Sequence, residues 1–81
     1  MTKTDIDQVK SLIADVHEAL CEGDNPKTLT FYRTELYRII KMLMDATAKT
    51  DDQNMKVALS TLEYAARKQK RAIEEQLAVR N

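Results

Sequence analysis

The 81-residue chain has one glycine and one proline. That is too little punctuation for a succession of strands and tight turns, and it leaves helix as the default along most of the length. One cysteine can close no internal disulfide and cannot by itself build a zinc site, which fits a reducing compartment and makes the cytoplasm the expected location. No apolar run approaches the roughly 20 residues needed to cross a bilayer, and the opening MTKTDIDQ has no apolar export segment. Net charge is lacking too: thirteen basic side chains balance thirteen acidic ones, so no global excess draws the chain to DNA or to an anionic membrane. A glycine-rich phosphate loop is missing, as are HxxxH, ExxH and CxxC, so neither a catalytic constellation, a metal site nor a cofactor is expected.

The charge that is present is unevenly placed. Residues 1 to 25 set two lysines, Lys3 and Lys10, against six carboxylates, whereas residues 26 to 50 set five cations against Glu35 and Asp45. An acidic first segment is thus expected to lie against a more basic remainder. Eighty-one residues also form one domain at most, spanning 1 to 81, with a core small enough that self-association is expected to help stabilise it.

The longest helical signal runs from 51 to 77. Asp51 or Asp52 can cap its start, and no Gly or Pro follows. Met55, Leu59, Leu62, Ala66, Gln69, Ile73 and Gln76 alternate in steps of four and three, which places them on one helical stripe, with Ala58, Ala65, Ala72 and Leu77 beside it. Upstream, Ile6, Val9, Ile13, Val16 and Leu20 form a heptad-like seam on a helix over about 5 to 22, with Thr4 as its cap and Asp7 three residues on. Gly23 ends that helix, and Asn25–Pro26 starts the next. In this second helix Leu29, Tyr32, Leu36, Ile39, Leu43 and Ala46 form a stripe, and Phe31, Tyr37, Ile40 and Met44 extend the apolar surface round the cylinder. The pattern predicts an all-α protein of three helices. The second helix is the middle layer, and the last two (26 to 48 and 52 to 79) form a long antiparallel hairpin in an oligomeric bundle. The methionines at 1, 42, 44 and 55 are adaptable packing or filler.

Among candidate chemical groups, His17 borders the apolar face of the first helix, and Cys21 reads as a small buried hydrophobe. The cluster Arg67, Lys68, Lys70 and Arg71 is more informative. Glu63, Glu74 and Glu75 can pair with it at i,i+4, as on any solvated face. Yet Tyr64, Arg67, Lys68 and Arg71 share one surface, and an aromatic beside several cations suits a nucleotide or phosphate. Helices this long, without a short recognition unit, do not read as a helix-turn-helix, so DNA is not the expected partner. Arg33, Arg38 and Lys41, interleaved with Phe31, Tyr32 and Tyr37, form a second basic group whose tyrosines read as core or as a stacking platform.

The run DDQNMKVALSTLEYAARKQKRAI resembles the closing helix of small phage helical-hairpin proteins that sponge up cyclic-oligonucleotide signals in anti-CBASS and anti-Thoeris defence. Ser60, Leu62, Glu63, Ala65 and the closing Arg71, Ala72 and Ile73 carry the resemblance. Ala66 and Arg67 stand where that family has a glycine and an aromatic. The first 25 residues add a helix without a counterpart there. The resemblance implies a non-enzymatic binder that sequesters a cyclic nucleotide at a subunit interface, and it implies ligand contact by a tyrosine and a lysine of the preceding helix, for which Tyr32 and Lys41 are nearest. A helical interaction module, an inhibitor or adaptor with one protein partner and no small-molecule ligand, is the alternative.

Overall fold

The computed structural model describes residues 2 to 80, the side chain of Arg80 excepted, as three α-helices: α1 (Lys3–Glu22), α2 (Pro26–Lys49) and α3 (Gln53–Arg80). No strand occurs among the described residues. The fold measures 44 × 19 × 15 Å. Its long dimension is set by α3, which at 1.5 Å per residue runs about 42 Å. With the other two dimensions this small, each helix keeps one side open to solvent.

The helix ends follow from local chemistry. The first cap is Thr2, not Thr4: Thr2 Oγ1 accepts from the Asp5 N–H at 3.2 Å, and Asp5 Oδ2 accepts from the Thr2 N–H at 3.0 Å. Two overlapping Thr-x-x-Asp boxes compete here, and the earlier one wins because it adds helical residues at no cost in capping. The backbone hydrogen bond from Thr2 is the main reason that the Asp5 carboxyl titrates below the usual carboxylate range, with the Thr2 hydroxyl adding to it. Gly23 adopts φ 66, ψ 48, the left-handed conformation that closes α1. Asn25 Oδ1 accepts from the Thr28 N–H at 2.9 Å, and Pro26 takes the first position of α2. Asp52 caps α3, its Oδ1 accepting from the Asn54 and Met55 N–H groups.

Burial follows the stripes read from the sequence. On α3, Leu59, Ala66 and Ile73 are buried, and Met55, Leu62, Gln69 and Gln76 are partly buried between them. On α2, Leu29, Leu36, Ile39, Ile40 and Leu43 are buried, and on α1, Val9, Val16 and Ala19. One cluster gathers Val16, Ala19, Leu29, Leu36, Ile40, Ala66 and Ile73; a second gathers Val9, Ile39, Leu43 and Leu59. Each leucine so enclosed contributes about 1.5–3 kcal/mol of transfer free energy.

Two expectations need correction. The second helix is not the middle layer: α2 and α3 pack most closely, and α1 touches α3 more than it touches α2. Gln69 Nε2 donates to the Ile13 carbonyl at 2.8 Å and Gln76 Nε2 to the Leu20 carbonyl at 3.3 Å, drawing α1 toward α3. Cys21 is exposed rather than buried, because the seam of α1 packs through Val16, Ala19 and Leu20 and leaves position 21 on the outside. Phe31, Tyr37 and Met44, the extension of the α2 apolar surface, are 58%, 46% and 48% exposed. Met42 is exposed, Met55 is partly buried against the core, and Met1 lies outside the described residues.

Candidate functional face on helix three

Tyr64, Arg67, Lys68 and Arg71 line one open depression of about 520 Å³, together with Ala72 and Glu75. Every one of these residues belongs to α3. They come together because i, i+3, i+4 and i+7 positions stack on one side of a helix. This side faces away from the buried stripe of Leu59, Ala66 and Ile73, so Tyr64 is 71% exposed.

The four cations of the 67–71 cluster do not share one fate. Arg67 is held in place by Glu63, with Nε to Oε2 at 2.8 Å, and its Nη2 lies 3.1 Å from Met44 Sδ. Lys70 turns away toward α2: its Nζ sits 4.4 Å from the centroid of the Tyr37 ring and 3.3 Å from Glu74 Oε1. Tyr37 first and Glu74 second hold the Lys70 ammonium above its ordinary pKa. Lys68 and Arg71 are exposed and form no ion pair with the described residues. The i,i+4 pairing open to Arg71 and Glu75 is not made, although Glu75 lines the same depression. The face therefore offers two uncommitted cations, a third cation oriented by a carboxylate, and an aromatic ring. It is a floor without an opposite wall, and it suits a flat anionic group that a second surface would cover.

Residues outside the candidate ligand-binding set, Ser60 of the resemblance among them, adjoin this face. A second depression of about 550 Å³ is lined by Thr47, Gln53, Lys56, Val57, Ser60, Thr61 and Tyr64. Tyr64 is common to both, so the ring stands between a recess that carries hydroxyls and one that carries cations. The signal was available in the outward row Val57, Tyr64 and Arg71, which repeats every seven residues opposite the buried stripe.

Tyr32 and Lys41 lie elsewhere. Nine residues separate them, which on a helix of 3.6 residues per turn places them on opposite sides of α2. Tyr32 is partly buried against the core, its ring centroid 5.7 Å from that of Phe31. Its accessible edge borders a recess of about 140 Å³ lined by Asp15, Glu18, Glu22 and Asp24, a setting that repels anions. Lys41 is exposed. Neither lines the depression beside Tyr64.

Among the described residues, no helix is long and apolar enough to cross a membrane, and no group of three or more His, Cys, Asp and Glu side chains is placed to hold a metal ion. Comparison with protein-family models, with curated proteins and with solved structures gave no match.

Proposed function

We propose that this chain is a small non-enzymatic binding protein that captures an anionic, nucleotide-like ligand on the α3 face at a subunit interface. The observation that carries the reading is the depression of Tyr64, Arg67, Lys68 and Arg71, walled on one side only, with Lys68 and Arg71 in no ion pair among the described residues. A charge-assisted hydrogen bond from either cation to a phosphate contributes about 1.5–3 kcal/mol. The resemblance of residues 51 to 73 to phage sponges of cyclic-oligonucleotide signals gives the ligand class, and with it a role in countering host defence from within the cytoplasm.

The proposal includes an antiparallel α2–α3 hairpin. Its support is the order of packing: Leu43 clusters with Leu59, near one end of α3, while Leu29 and Leu36 cluster with Ala66 and Ile73 farther along it. It also includes a homo-oligomer, supported by Phe31, Tyr37, Met44 and Val57, which a single chain leaves exposed. Sedimentation at micromolar concentration is expected to give a mass above that of one chain. A single-chain mass, with a high melting temperature that does not depend on concentration, would refute the assembly.

Thermal melting with a panel of cyclic di- and trinucleotides tests the ligand. A compound that binds only the native state and is present at 100 times its Kd adds about 2.7 kcal/mol, which for a chain of this size raises the melting temperature by about 10 °C or more. If no compound moves the transition, the nucleotide reading falls. The exposed apolar side chains then favour the second reading, a helical module that binds one protein partner.

A further inference from the structure

On the outward side of α3, Val57, Thr61, Tyr64, Lys68, Arg71 and Glu75 follow one another in alternating steps of four and three, and every one of them is exposed. That is the spacing of a seam along which one helix pairs with another. The row runs through both depressions that meet at Tyr64, and it is about 27 Å long at 1.5 Å per residue. Its chemistry changes at Tyr64. The half before the ring carries the hydroxyls of Ser60 and Thr61, and the half after it carries the cations. A second copy lying parallel and in register would set Lys68 on Lys68, Arg71 on Arg71 and Glu75 on Glu75, three contacts between like charges. An antiparallel copy, related by a two-fold axis between the levels of Tyr64 and Lys68, sets unlike groups together: Tyr64 against Lys68, Thr61 against Arg71 and Val57 against Glu75, each pair occurring twice. Each ammonium then meets the face of a tyrosine. The charge pattern of the row therefore selects a second copy of this chain, in one orientation.

We propose that α3 pairs with α3 of a second copy in this antiparallel register, and that the anion of the α3 face is held between the cations of one copy and the Ser60 and Thr61 hydroxyls of the other. The place of the anion rests on the reading of this face given above; the pairing does not. The second copy supplies the wall that the depression lacks, and the two-fold axis makes two such composite sites in each dimer. Arg67 lies beside the row, aligned by Glu63 at 2.8 Å, and the axis brings the Arg67 side chains of the two copies toward each other. Their mutual repulsion opposes pairing until an anion lies between the copies, so anion binding and pairing reinforce one another.

Site-directed cross-linking of the full-length chain tests the pairing. Val57→Cys and Glu75→Cys are made in separate chains, each with Cys21→Ser to remove the exposed native thiol. The two chains are mixed and treated with a short thiol-to-thiol cross-linker. The mixed product should exceed either like-with-like product by about tenfold or more, because like positions stand about 27 Å apart along the axis of the antiparallel pair. Inorganic pyrophosphate should raise the yield, and sodium chloride at equal ionic strength should not. The substituted side chains are exposed, so circular dichroism should report native helix content in each variant. If the mixed product does not exceed the like-with-like products, the antiparallel pairing is refuted. If it does but pyrophosphate leaves the yield unchanged, the shared anion is refuted and the pairing stands. Neither result touches the reading of the α3 face within one chain, which the binding of the Arg67 and Arg71 double variant decides separately.

Discussion

Leu36→Ala is expected to destabilise the fold by about 2–5 kcal/mol. Leu36 is fully buried in the cluster that joins Val16 and Ala19 of α1, Leu29 and Ile40 of α2, and Ala66 and Ile73 of α3. Truncating it opens a cavity inside the cluster to which all three helices contribute. Two members of the cluster are alanines, which have no side chain to swing into the vacated volume, so collapse is limited and the cost should fall in the upper part of that range. In a domain of this size the melting temperature should drop by about 10 °C or more. Circular dichroism melts of the variant, with the exposed Glu18→Ala as a near-silent reference, check the expectation. Leu62, only partly buried against the second cluster, should lose less when truncated. An unmoved transition in Leu36→Ala would mean that the three helices do not meet at this residue.

The second large effect concerns binding. Substituting both Arg67 and Arg71 by alanine should reduce affinity for the strongest ligand from the melting panel more than tenfold while the fold survives. Arg67 is aligned by Glu63 at 2.8 Å, so its guanidinium needs little ordering when a phosphate arrives. Arg71 gives up no ion pair among the described residues. The stability cost should be below about 1 kcal/mol, because the one pair broken is an exposed i,i+4 bridge. Lys in place of Arg71 should restore part of the affinity, since an ammonium supplies charge without the planar fork. Isothermal calorimetry of the double variant decides the matter: unchanged affinity would remove this face from the site.

What could be read in advance, and what could not, divides along local and non-local lines. The buried stripe of α3 was legible because its periodicity is a property of one helix, and Gly23, Asn25, Pro26 and Asp52 marked ends through chemistry within four residues of themselves. That Tyr64, Arg67, Lys68 and Arg71 share one face of α3 was visible for the same reason. By contrast, the direction taken by Lys70 depends on Tyr37, and the preference of α1 for α3 depends on Gln69 and Gln76, each bonded to a carbonyl 56 residues away. Periodicity flagged both glutamines as seam positions but could not name their acceptors. Cys21 was misjudged because heptad spacing defines where a seam runs, not how far round the helix the neighbours reach.

The two glutamine contacts also constrain motion. Gln69 and Gln76 are seven residues apart, and so are the carbonyls they grasp, Ile13 and Leu20. An aliphatic seam by itself tolerates slippage by one turn, because one methyl-lined hollow resembles the next. Two amide teeth engaging two chosen carbonyls do not tolerate it, since a shift of either helix breaks both hydrogen bonds together. Polar side chains in an apolar seam commonly fix register in this way at some loss of stability. Gln69 carries that loss openly, for its Oε1 is buried without a partner among the described residues. The first helix thus has one keyed seat along α3, and the acidic outer surface that it carries is held at a fixed height relative to the basic face on the other side of that helix.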